Sequence, residues 1–240
     1  MNENLTGLFG KLPAHGDFIY RDLPTGFINV WDEWLQGYVA SAQEQLGERW
    51  LELYLVSPIW RFAFSEGVVD GNVWAGIMLP SVDRVGRYFP FSVVTKLPGD
   101  TNPVDFICTR RNWYQAMEDA ALNALDGQLA IEELVEELND SFPMKNDTYR
   151  RGVTLDTPSK MMIPLSSNEQ APNTVLPYML DACLSSSMQS YSVWSTSGSE
   201  MIHPGMFVSK GLPALNSVAA MLDGCWDQWQ WQQPFNLATA

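Results

Sequence analysis

Histidine, paired cysteine and long apolar runs are scarce in these 240 residues, and each shortage removes a class of chemistry. Only His15 and His203 offer an imidazole, so a histidine-based acid-base or metal centre has little to build on. No G-x-S-x-G elbow, Walker A loop, H-E-x-x-H pair or G-x-G-x-x-G fingerprint occurs, which leaves hydrolase and dinucleotide chemistry without their usual signatures. The three cysteines, Cys108, Cys183 and Cys225, are an odd number without C-x-x-C or zinc-finger spacing. Their apolar neighbours point to buried, reduced thiols, and neither a metal nor another cofactor is expected. No apolar stretch approaches the roughly 18 residues of a membrane span. The start Met1-Asn2-Glu3-Asn4 lacks a basic region leading into an apolar one, so the expected protein is soluble and cytoplasmic, with no membrane insertion.

Positive charge is also short: 14 Lys and Arg stand against 28 Asp and Glu, a formal net charge of -14. Residues 112–160 hold ten acids and four bases, and residues 161–240 five acids and one base. With no basic stripe to neutralise a row of phosphates, nucleic acid is excluded as a partner. Nine of the fourteen bases lie in residues 1–111, so a local cationic loop can exist on a chain that repels polyanions overall.

What the chain has in quantity is apolar and aromatic surface. At 46% hydrophobic, with ten Trp, eight Tyr and eleven Phe, it can bury a sizeable core. Leu5 to Leu12 reads as a strand carrying Gly7 and Gly10, where another backbone can approach closely. From Thr25, the residues Phe27, Trp31, Trp34, Leu35, Tyr38, Val39, Ala42 and Leu46 recur at three- and four-residue steps, an amphipathic helix closed by Gly47. A short helix over Trp50 to Leu55 leads to three strands, Trp60 to Phe64, Val73 to Leu79 and Phe91 to Leu97, most simply an antiparallel meander. Asn102 and Pro103 cap a helix running to Leu125, and an acidic helix is expected over Leu129 to Leu138. The prolines of residues 141–171 mark a soft boundary. A helix near Thr174 to Leu184, strands near Tyr191 to Ser195 and Met206 to Ser209, and a helix Ala214 to Leu222 follow. The fold class is α/β (α+β), with a central, mainly antiparallel sheet flanked by helices on both faces.

Three features invite a functional reading. His15-Gly16-Asp17 offers an imidazole and a carboxylate on a bent loop, although such residues more often serve turns. Asp70, Asp126 and Asp223, each before a glycine, likewise read as turn chemistry. The loop Pro80 to Pro90 places Asp83, Arg84, Gly86 and Arg87 between two prolines, and two guanidiniums three residues apart can fork onto a carboxylate or phosphate. An internal salt bridge from Asp83 or Asp17 to Arg84 is the competing use. Because Gly86 turns the chain between them, Arg84 is expected nearer the lock and Arg87 nearer a partner-facing clamp. Arg61, between Trp60 and Phe62, is expected to stack or pair at the edge of the core. In the tail, Trp229 and Trp231 alternate with polar residues as in an edge strand or exposed clamp, while docking onto the parent domain is the preferred alternative.

Several ordered blocks resemble the TagF family, accessory proteins of the bacterial type VI secretion system. They are Gly7 to Phe18, with Gly10, Pro13, Gly16 and Asp17; Trp31-Asp32 and Trp34-Leu35; Ser57 to Phe62, with Trp60 and Arg61; and Pro80 through Gly86 to Pro90. The likeness covers residues 1–145, with residues 146–240 a continuation of the same compact domain. It implies the fold class already read and a non-enzymatic post-translational regulator. That regulator is a repressor acting opposite the threonine-phosphorylation pathway, through a forkhead-associated scaffold protein. The family supplies no catalytic residues to transfer. A small-ligand or phosphate-binding enzyme using Asp17, Arg84 and Arg87 is the alternative.

Overall fold

The structure, a computed structural model, describes residues 6–127, 133–134, 149, 160–168, 170–235 and 237. Its centre is a seven-stranded sheet built from β1 (Thr6–Gly10), β2 (Ile19–Arg21), β3 (Trp60–Phe64), β4 (Val73–Leu79), β5 (Phe91–Leu97), β6 (Tyr191–Thr196) and β7 (Gly205–Lys210), in the spatial order β2-β1-β5-β4-β3-β6-β7. Every pairing between these strands is antiparallel. The meander β3-β4-β5 forms as the sequence predicts. Because β6 pairs with β3, residues on both sides of the 141–171 boundary share one sheet.

Helices cover both faces, which is why β4 is buried from end to end instead of alternating between core and water. One face packs under α1 (Thr25–Leu46), α2 (Trp50–Leu55) and α6 (Ala220–Asp223) and is dominated by aromatics, with Trp31, Phe62, Phe64, Trp74 and Trp194 buried together. Their indole N–H groups find partners: Trp31 donates to Ser92 Oγ, Trp74 to Asp70 Oδ1 and Trp194 to Ser192 Oγ. The other face is more aliphatic, with Leu8, Ile77, Leu79, Val93 and Val193 under α3 (Pro103–Thr109), α4 (Arg111–Leu125) and α5 (Leu176–Met188).

Several expectations change. The helix read as continuous from Pro103 to Leu125 breaks at Arg110, where φ is -96° and ψ 39°. The bend lets Phe106 meet Trp113 edge-on and brings Tyr114 Oη to the Phe62 carbonyl at 2.8 Å, so packing overrides helical continuity. The helix expected over Ala214 to Leu222 is instead a 3-10 turn at Leu215–Ser217 followed by the short α6. β2 escaped the sequence reading, because three residues of Ile-Tyr-Arg carry no periodic signal. The acidic helix of residues 129–138 lies outside the described residues, apart from helical residues 133 and 134. All three cysteines are free and exposed, not buried as their apolar neighbours suggest. Among the described residues no helix is long and apolar enough to cross a membrane.

Gly10 shows the tightest backbone approach. Its φ is 129°, and a Cβ there would stand 2.1 Å from the Pro90 carbonyl oxygen. Gly10→Ala is expected to destabilise by on the order of 3 kcal/mol or more. Gly26→Ala, in open space on α1, is expected to add roughly 0.5–1 kcal/mol. Thermal melts of the two variants check this, and a Gly10→Ala protein that melts like wild type would contradict it.

Candidate functional site

The blocks 7–18 and 80–90 meet where β1 runs out beside the hairpin that joins β4 to β5. β1 pairs with β5, and this carries Lys11 to the base of that hairpin. There the buried Asp83 carboxylate collects four donors. Oδ2 accepts from Lys11 Nζ at 2.8 Å and from Arg87 Nε at 2.6 Å, while Oδ1 accepts the amides of Val85 at 3.0 Å and Arg87 at 2.9 Å. Burial alone pushes the Asp83 pKa up. The bonds from the Lys11 ammonium, the Arg87 amide and guanidinium and the Val85 amide outweigh it and hold the carboxyl well below the usual carboxylate range.

The backbone closes around this charge. The Asp83 amide donates to the Arg87 carbonyl and the Gly86 amide to the Asp83 carbonyl, each at 3.0 Å, with Gly86 at φ 87° and a β-bridge between Val82 and Tyr88 below. Arg84 and Val85 therefore form the tip of a capped turn. Further bonds tie the hairpin down: the Arg84 amide to the His15 carbonyl, Arg87 Nη2 to the Gly16 carbonyl, and Ser81 Oγ to the Lys11 carbonyl. Tyr54 Oη donates to the Ser81 carbonyl and accepts from its amide, and burial raises the hydroxyl pKa far enough to keep it neutral. Phe18 packs edge-on against Phe89, with Lys11 Nζ 4.9 Å above its ring centre.

Asp83 thus engages Arg87 and Lys11, not Arg84, so the lock sits on the arginine expected to be the clamp. Sequence spacing could not decide this, since either arginine lies within reach of Asp83 until the turn is fixed. Among the described residues the Arg84 guanidinium has no ion-pair or hydrogen-bond partner and lies against Gly16, where a Cβ would be 3.5 Å from Nη2. Asp17 and His15 are exposed on the facing loop, and among the described residues their side chains pair with neither arginine. With Arg87 committed, the corner offers one free guanidinium fork rather than two.

The remaining singled-out residues are distributed elsewhere. Pro13 and Pro80 are half-buried and Pro90 buried, each flanking the corner. Arg61 forks onto Glu118, Nε at 2.6 Å and Nη2 at 2.8 Å, and lies over the Tyr114 ring. The Glu118 bond holds its pKa up, with burial pulling the other way. Trp60 donates to the Met221 carbonyl at 3.3 Å. Trp229 donates to Asp223 and Trp231 to the Ser217 carbonyl, each at 2.9 Å, so the tail folds back in turns instead of running as an edge strand. Asp70 and Asp223 bond the amides two residues on, as turn residues do. Among the described residues no cluster of His, Cys, Asp and Glu could hold a metal ion.

Residues 7–141 match the family described as TagF N-terminal domain, Type VI secretion system-associated. The chain belongs to the TagF family. This TagF chain is also similar to PA0076 from Pseudomonas aeruginosa PAO1, known from a crystal structure, at 28% identity and a TM-score of 0.72 over 98% of this chain and 99% of that one. No curated protein matches it. The protein is type VI secretion system-associated, and the family match spans both arms of the corner.

Missed residues include Lys11, Tyr54, Ser81 and Glu118. Glu118, four residues after Tyr114 on a buried helix face, was the one detectable signal, because an acid in that register requires a buried partner.

Arg87→Ala is expected to cost roughly 1–2 kcal/mol, limited by the 57% exposure of its side chain. Arg84→Ala should stay within about 0.5 kcal/mol of wild type. Melting curves read the difference, and the reverse order would return the lock to Arg84.

Proposed function

We propose that this TagF-family protein is a non-enzymatic regulator that represses type VI secretion by binding a forkhead-associated scaffold protein. The observation that carries the reading is the way the family blocks are spent. Their one buried carboxylate, Asp83, is saturated by four donors and held ionised, a state suited to fixing a loop and unsuited to moving protons. The corner is thereby built for presenting a surface. The Trp-rich tail is not part of that surface, since the Trp229 and Trp231 indoles are tied to this chain's own Asp223 and Ser217.

A stoichiometric repressor acts by occupancy, so its effect scales with its concentration. Several-fold overproduction in a type VI-active bacterium is expected to lower secretion of a type VI substrate, measured in the culture supernatant. Secretion that is unchanged or raised would contradict the repressor reading, and purified protein that fails to bind the purified scaffold would contradict the partner.

A further inference from the structure

We propose that the open edge of β7 pairs antiparallel with β7 of a second copy of this chain, joining the two sheets across a two-fold axis at Val208. The pairing does not depend on the regulator reading. β7 ends the sheet, bonded to β6 alone, and unlike the other six strands it has no buried residue. Its neighbours fix the phase of its ladder. The Ser65 amide donates to the Tyr191 carbonyl, which turns Tyr191 toward β3, and the Gly211 amide donates to the Ser190 carbonyl, each at 3.0 Å. Alternation then turns Gly205, Phe207 and Ser209 toward β6 and aims the amides and carbonyls of Met206, Val208 and Lys210 at the open side. Among the described residues no group bonds to them there except Ser209 Oγ, 3.4 Å from the Lys210 carbonyl. Sheet edges are ordinarily blunted by shortness, charge or proline. The opposite edge follows that rule: β2 has three residues, ends on exposed Arg21 and is followed by Asp22 at φ 54°. β7 has six residues, no proline and a single charge at its end, with Met206 50% exposed. Such a row of alternating donors and acceptors is matched by another strand.

Symmetry and charge select a second copy as that strand. With Val208 facing its own counterpart, Met206 of each copy faces Lys210 of the other, so every outward amide and carbonyl of the strand finds a partner. The same register brings the lysine stem across the exposed Met206. The pairing also closes on itself: both β7 edges are used and only the short, charged β2 edges stay open, so assembly stops at two copies. A net charge of -14 opposes self-association, and 28 acids in 240 residues leave few places where two copies can meet. Residues 201–222 are such a place, with no acid and Lys210 as their one Lys or Arg. Four residues of strand separate the two Lys210 ammoniums by roughly 14 Å in this register, beyond the Debye length of about 8 Å at physiological salt.

Sedimentation equilibrium of the full chain from roughly 2 to 200 µM tests the pairing, because a seam of one short strand per copy is smaller than a standard interface and dissociates in that range. The apparent mass is expected to rise from one copy to two and stop there, while exchange of the Met206, Val208 and Lys210 amides slows. Met206→Lys sets like charges opposite each other across the seam and is expected to weaken the dimer about tenfold with an unchanged melting temperature. Met206→Lys combined with Lys210→Glu pairs opposite charges in this register and is expected to return the dimer to near wild type. A mass of one copy at every concentration would overturn the second copy as occupant and leave the edge to another protein's strand. A dimer untouched by Met206→Lys, or a Met206→Lys defect that Lys210→Glu does not repair, would overturn the β7 seam and its register. Assembly past two copies would overturn the closed axis.

Discussion

A single carboxylate, that of Asp83, decides the shape of the corner. It lies where the chain leaves β4 and must turn back into β5 beside β1, and a buried ionised oxygen in that place is costly unless its lone pairs are filled. The two cations and two amides fill them, and each drawn-in donor fixes one piece of chain. Lys11 anchors the end of β1, the Val85 and Arg87 amides set the turn, and the Arg87 guanidinium spans to the Gly16 carbonyl. What remains outside is Arg84, so the free charge of the corner is a by-product of how the buried one is satisfied.

The sheet makes this possible by its rigidity. With helices on both faces, the strands leading to the corner are fixed by packing on either side, and Gly10 lets β1 close against Pro90 without a side chain between them. On the aromatic face the Trp31 and Trp194 indoles donate to serine hydroxyls, and the aliphatic face holds the Arg61–Glu118 fork at its margin. Charges away from the corner are therefore either committed inside the fold or solvated on a predominantly acidic surface.

Much of the fold was legible because its signals are periodic. The steps from Phe27 to Ala42 gave α1, the run Val73 to Leu79 ending at Pro80 gave β4, and Asn102-Pro103 gave the start of α3, whose Asp105 amide bonds to Asn102. Elements without a period were lost: the three-residue β2, and the break at Arg110, which answers to Trp113 and Tyr114 packing. The Trp-Gln alternation of the tail mimicked a strand because it reports only composition, whereas the turn follows from indole donors finding Asp223 and Ser217. At the corner, the sequence identified the segment but not the pairing. Asp83 and both arginines are adjacent in the chain, and the choice between them is made by Lys11, 72 residues away, and by the Gly16 carbonyl. Long-range donors of this kind leave no local trace.

The state of Asp83 is the most direct measure of the lock. A carboxyl whose pKa is lowered by folding contributes stability that is fully present above the ordinary aspartate value of about 3.9 and is lost as pH falls through the lower, folded value. Carbon-detected NMR of the Asp83 side-chain carboxyl through an acid titration, followed while the amide spectrum stays native, reads that value at the residue itself. The expected result is a carboxylate still ionised where an ordinary aspartate is half protonated. A midpoint at or above the ordinary aspartate value would contradict the lock, and with it the fixed presentation of Arg84.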